Sequence, residues 1–277
     1  MLGSMRMARR FGLLAFVWLV CFPGGGQAWE QKVSSGGAPV HWTTRCLHIY
    51  LHESGSDDMP IADVESALIA AIETWNSVDC SSLTLRYAGR TNQEVLGPKV
   101  EDPVIVKVVF REKYWPYTDF EVAYTKPHWY SDSGELYDAD IELDGEGVSF
   151  TLDPEAEPYK MDLQSTITHE LGHVLGFLEN WEDPEATMYG ALVPGEFKKR
   201  SLNEDDKEGL CTVYPMDAAA YCDPLEPGFL DVLPPEDEGD GGCAAAARRA
   251  PSAAISALLL LLLCLGFRSM RQDWKRS

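Results

Sequence analysis

The sequence predicts an α/β (α+β) domain: a twisted mixed sheet, one helix near residue 170 and another at the domain's C-terminal end. Three observations carry this expectation. Leu47, Ile49 and Leu51 alternate with Cys46, His48, Tyr50 and His52, the two-residue period of a strand. Ile61, Val64, Leu68, Ile72 and Trp75 recur at the spacing of an amphipathic helix. Two later stretches open on side chains suited to helix N-caps, Asp162 and Asn203.

Taken in order, the chain begins with Arg6, Arg9 and Arg10, an apolar run from Phe11 to Phe22, and a small-residue exit ending at Ala28. That order predicts a secretory signal peptide over residues 1–28. Cys21 falls inside it. Residues 29–222 contain no repeat and no long linker, which predicts one domain. Within it, Arg45–His52, Ser82–Tyr87, Val104–Phe110 and Asp138–Leu143 read as strands. Helices follow from Ile61 to Trp75, from Asp162 to Gly176, and from Asn203, with Asp206 three residues on, toward Val213. Residues 223–242, acidic and rich in Pro and Gly, read as a solvated linker.

Charge narrows the function. The 277 residues hold 23 Lys and Arg against 44 Asp and Glu, a net −21, and residues 29–242 alone carry −29. So negative a segment repels phosphate backbones, which argues against a nucleic-acid partner. Seven cysteines behind an export signal point to an oxidising compartment. Cys46, Cys80, Cys211 and Cys222 allow three pairings; the expected ones are Cys46–Cys80 and Cys211–Cys222.

The chemistry concentrates in Thr168–Asn180, which reads THELGHVLGFLEN. On a helix, His169 and His173 share a face and can converge on one metal, with Glu170 beside them to take a proton from water on that metal. Zinc suits imidazole ligands. Gly172 and Gly176 are poor interior helix residues, but Gly176 can adopt a positive φ and turn the chain back. Glu179, three residues later, is the expected third ligand, with Glu182 and Asp183 as competitors. Ala186-Thr187-Met188-Tyr189-Gly190 places a methionine at a turn just downstream.

These residues resemble a metzincin zinc protease, whose motif is HExxHxxGxxH followed by a Met-turn, and within that clan a matrixin. Thr187-Met188-Tyr189 is similar to the matrixin Met-turn, and Arg200–Asp206, continuing to Gly209 and Tyr214, to the opening of the C-terminal helix. Asp138–Ile141 sits where a matrixin has its substrate-facing edge strand. The resemblance implies a metzincin-like catalytic domain with an active-site helix, a Zn2+ cofactor, a protein or peptide substrate, Glu170 as general base, Met188 as a floor beneath the metal, and residues 189–194 as a wall of the substrate pocket. Glu179 stands in place of the third histidine. A His₂Glu set is an accepted zinc site, though its carboxylate leaves bound water less acidified than three neutral histidines do. No cysteine-switch propeptide is present, and His128 stands alone where a matrixin clusters histidines for a structural zinc. His48 and His52 share a strand face, as metal ligands or as exposed polar residues. Asp138, Asp140, Glu142 and Asp144 suit either calcium or a solvated strand face.

Gly242-Cys243, an apolar run from Ala253 to Phe267 and a basic end resemble the MYXO-CTERM sorting tail of myxobacterial surface proteins. That implies processing near Cys243 by a myxosortase-type peptidase, membrane contact through residues 243–277 beforehand, and a cell-surface or secreted mature form. A retained membrane anchor is the alternative. The resulting expectation is a secreted, surface-retained zinc endopeptidase. A second reading is a catalytically silent surface binding module or adhesin: Glu179 is its support, and the retained Glu170 speaks against it.

Overall fold

A computed structural model describes residues 29–93, 96–100, 104–216, 222 and 243–247. The expected signal peptide over 1–28, the expected linker over 223–242 and residues 248–277 lie outside the described residues. The elements run β1 (Cys46–His52), α1 (Ile61–Asn76), β2 (Thr84–Thr91), β3 (Ile105–Arg111), β4 (Glu121–Trp129), β5 (Leu136–Asp144), β6 (Phe150–Thr151), β7 (Met161–Asp162), α2 (Leu163–Val174), β8 (Ala191–Leu192), α3 (Glu204–Val213) and β9 (Cys243–Ala247). A 3₁₀ turn, Lys198–Arg200, precedes α3.

A five-strand mixed sheet organises the domain in the order β2-β1-β3-β5-β4, and β9 then β8 extend it past β4. β1, β2, β3 and β5 pair in parallel, as the intervening crossovers require, and β4 returns antiparallel to β5. β3 is buried along nearly its whole length and reads IVKVVFR, the apolar run expected of a central parallel strand. α1 packs on α2 and β2, and α2 packs on β4 and β5. One apolar core, from Trp29 to Tyr214, joins both layers.

Both expected N-caps are present. Asp162 accepts from the Ser165 N–H at 2.8 Å, and Asn203 with Asp206 forms a capping box on α3. Arg200 pairs with Asp162 and donates to Leu152 O at 2.7 Å, tying the 3₁₀ turn to the start of α2.

Four expectations are corrected. The cystines are Cys46–Cys222 and Cys80–Cys211. The exit of α1 runs beside the exit of α3, with Ser82 N–H on Tyr214 O and Met216 N–H on Cys80 O, so Cys80 meets Cys211. The chain beyond α3 then reaches the start of β1 and β2, where Arg86 donates to Cys222 O at 2.7 Å. Asp138–Ile141 is not the edge strand: it lies in β5 between β3 and β4, and β4 is the edge of the five. Asp138, Asp140, Glu142 and Asp144 are buried rather than solvated. Lys107 Nζ lies 3.3 Å from Asp140, Arg111 pairs with Glu142, and Asp144 accepts from the Gly147 N–H at 2.8 Å. His48 and His52 are also buried: His48 lies beside Cys46 Sγ and His52 bonds Ser54 at 2.7 Å. Four residues of strand separate them by about 13 Å, too far to share an ion.

Candidate metal and catalytic centre

α2 is buried on nearly every side, and the structure explains how. Trp75 Nε1 donates to Thr168 O, Trp42 Nε1 to Val174 O and the Tyr214 hydroxyl to Leu175 O, each at 2.8 Å. Three aromatic donors thus satisfy carbonyls that water cannot reach. Gly172, between the two histidines, gives Met188 its place: a Cβ there would lie 2.1 Å from the Met188 sulfur. Met188 is buried against the helix.

Gly176 has φ +90°, and a Cβ on it would lie 2.6 Å from Val40 O, so both conformation and space favour glycine. Gly176 O accepts from the Lys32 N–H and the Leu178 N–H donates to Glu30 O, holding the returning chain against the N-terminal segment. That return delivers Glu179. Its Oε2 lies 3.4 Å from His169 Nε2 and its Oε1 lies 3.4 Å from His173 Nε2. Asn180 secures the loop by donating its N–H to Met188 O at 2.6 Å and accepting from the Glu182 and Asp183 N–H groups. Asp183 also accepts from Asn203, and Glu182 is exposed. Of the three carboxylates, only Glu179 lies in ion-pair range of the imidazoles.

Both imidazoles are oriented from behind. His169 Nδ1–H donates to Thr187 O at 2.7 Å and His173 Nδ1–H to Phe177 O at 2.9 Å. Carbonyls only accept, so each neutral ring carries its lone pair on Nε2, the tautomer a metal ligand needs. Burial, reinforced by Lys199, pushes His169 down to about 4, so that ring is neutral near pH 7. Burial works against the charge of Glu179, but attraction to His169 and His173 in their protonated form outweighs it and holds the carboxyl well below its usual range, so Glu179 is already ionised where the rings lose their protons. Lone pairs and a carboxylate converging in a buried space repel one another unless a cation lies among them. His169 Nε2 and both Glu179 oxygens are buried without a hydrogen-bond partner. Tetrahedral zinc bonds of about 2.1 Å separate neighbouring ligand atoms by about 3.4 Å, the spacing between Glu179 and each imidazole. The donor set fits zinc.

Glu170 is fully buried beside the pair, within 4.8 Å of both ligand nitrogens. Its Oε2 accepts from the Thr125 hydroxyl at 2.6 Å, while Oε1 has no hydrogen-bond partner. Burial pushes its carboxyl up to about 7, against the pull of His173 and Thr125.

The matrixin family model matches residues 41–215, which span the five-strand sheet, α1, α2, α3 and this cluster. The chain belongs to the matrixin family. Zinc-dependent proteolysis is the family's chemistry, and the structure groups His169, Glu170 and His173 where an ion could be held. No curated protein matches the chain by sequence.

Several matrixin-domain residues that shape the site have no local sequence signal. Thr125 reaches Glu170 from β4, an element not anticipated. Asp206 is legible as a cap, yet its carboxylate also accepts from the Thr187 N–H at 2.7 Å and the Met188 N–H at 3.1 Å, clamping the turn that orients His169. Lys199 is buried with Nζ on Tyr189 O and 3.4 Å from His169 Nδ1; burial pushes it down to about 8.

Proposed function

We propose that this chain is an exported, surface-retained endopeptidase in which His169, His173 and Glu179 hold zinc and Glu170 moves the protons. The observation that supports it best is the approach of both Glu179 oxygens to the two oriented imidazoles, with Glu170 held alongside. Bound zinc supplies Lewis-acid polarisation of a peptide carbonyl and acidifies water at the site. Thr125 occupies Glu170 Oε2, which leaves Oε1 to take the proton of the attacking water and pass it to the leaving amine. Thr187 and Phe177 keep the imidazoles aimed throughout. Glu170, buried and oriented, favours this reading over a silent binding module.

Export and surface retention rest on the two chain ends, with a signal over 1–28 and a tail cut near Cys243 by a sorting peptidase. Purified residues 29–242 are expected to contain one zinc and to cleave casein in a chelator-sensitive manner. Zinc-free protein, or cleavage indifferent to chelator, contradicts the proposal. Peptides containing Trp274 in the cell-surface form contradict removal of the tail.

A further inference from the structure

β9 belongs to the C-terminal tail, yet it pairs within the domain's sheet. Its sequence, Cys-Ala-Ala-Ala-Ala, is weak in strand propensity, so the pairing comes from what lies on either side. On one side it runs antiparallel to the edge strand β4, with Cys243 opposite Thr125, Ala244 opposite Tyr124 and Ala245 opposite Ala123. On the other it runs parallel to β8, with Ala246 opposite Ala191 and Ala247 opposite Leu192. Both neighbours belong to the candidate site. Thr125 hydrogen-bonds Glu170, and β8 begins three residues beyond Met188.

β9 therefore runs between the edge strand and the wall that follows the Met-turn, with its backbone beside Thr125. A peptide presented to Glu170 as an added strand needs those same two backbone edges. The segment is also tethered to them. It begins 21 residues after Cys222, whose cystine fixes it to Cys46 at the start of β1. A short covalent link of this kind gives an effective concentration on the order of millimolar, well above that of a free peptide.

We propose that Cys243–Ala247 is an intramolecular occupant of the substrate groove, closing the full-length chain to other peptides until the segment is removed. This rests on the reading of the groove as a peptide-cleaving site. Processing near Cys243 would then both release the tail and open the groove. No chemical step is needed for the closure itself, which is a matter of two shared hydrogen-bond ladders.

The test uses the full-length chain carrying Glu170→Gln, so that turnover cannot remove the strand, with and without Ala245→Pro/Ala246→Pro. Adjacent strand residues turn their N–H groups to opposite neighbours, so two prolines take one donor from each ladder. Both lie beyond the matrixin domain, residues 41–215, whose own sequence is left unchanged. The probe is a fluorescent peptide copying residues 243–249. It is expected to bind the proline variant at least about tenfold more tightly, given the tethered competitor it no longer faces. Equal affinity in the two proteins overturns the proposal. Amide hydrogen exchange on the same pair reads the groove without any peptide. Ala191 and Leu192 are expected to exchange at least about tenfold faster in the proline variant. Equal exchange overturns the presence of the strand. Faster exchange with no peptide binding by either protein places the strand there but overturns the peptide-groove reading, and the inhibitory role with it.

Discussion

Gly172→Ala separates two effects of opposite sign. In an unconstrained helix the change is worth up to about 1 kcal/mol of added stability, from lower backbone entropy in the unfolded chain. Here the new Cβ would lie 2.1 Å from Met188 Sδ and 3.1 Å from Trp75 Cζ2, where ordinary contacts are about 3.5–4.0 Å. Met188 would have to recede by well over an ångström. It has little freedom to do so: the side chain is buried, its N–H is bonded to Asp206 and its carbonyl to Asn180. Overpacking of this kind costs about 1–3 kcal/mol. The net expectation is a loss of about 1–2 kcal/mol, which for a domain of this size lowers Tm by about 3–6 °C. The disturbance also reaches the metal site, because Thr187, one residue before Met188, orients His169. Zinc affinity should fall by about tenfold. Thermal melting of the metal-free protein and chelator competition read the two effects separately. A Gly172→Ala protein that melts higher than wild type and binds zinc as tightly would refute the packing argument.

Other perturbations probe other links. Glu179→Ala should weaken zinc binding by at least about 100-fold in chelator competition, while Glu179→His retains the metal with three imidazoles; Glu179→Ala binding zinc like wild type while Glu182→Ala does not would reassign the third ligand. Asp206→Ala strands the N–H groups of Thr187, Met188 and Asn203 and should cost about 3 kcal/mol in chemical denaturation, together with a loss of zinc affinity that a remote core mutation of equal cost does not produce. Lys107→Met leaves the buried Asp140 without its ion partner and should cost about 3–5 kcal/mol, whereas Lys107→Met/Asp140→Asn removes the unpaired charge, keeps an acceptor for the Lys107 N–H and recovers part of the loss; a double variant as unstable as the single one contradicts this account.

How much was legible in the sequence varies with the physics of each element. Helices announce themselves locally: Asp162, Asn203 with Asp206, and the turn at Gly176 are short-range chemistry, and all three appear where expected. β4 was missed because Pro127 interrupts it and because Ala123, Pro127 and His128 are buried alongside Val122 and Thr125, which leaves no clean alternation. Proline is tolerated there because β4 is the edge of the five-strand sheet. The acidic positions of β5 look solvated when read alone. Their partners, Lys107 and Arg111, come from β3, and cross-strand pairing is invisible in a one-dimensional pattern. Cystine connectivity fails for the same reason, since it depends on where distant segments meet. The cluster of His169, His173 and Glu179 was legible because a helix and one glycine turn place all three residues within eleven positions. The residues that orient the cluster, Thr125 and Asp206 among them, come from elements far along the chain.

The central claim is that Glu170 works on protons while His169, His173 and Glu179 hold the metal. Glu170→Ala in the purified domain, residues 29–242, tests it, with zinc content and peptide turnover measured on the same sample. The account predicts about one zinc per chain, as in wild type, and a rate lower by about three orders of magnitude or more. Turnover close to wild type, or loss of the zinc along with the activity, would contradict it.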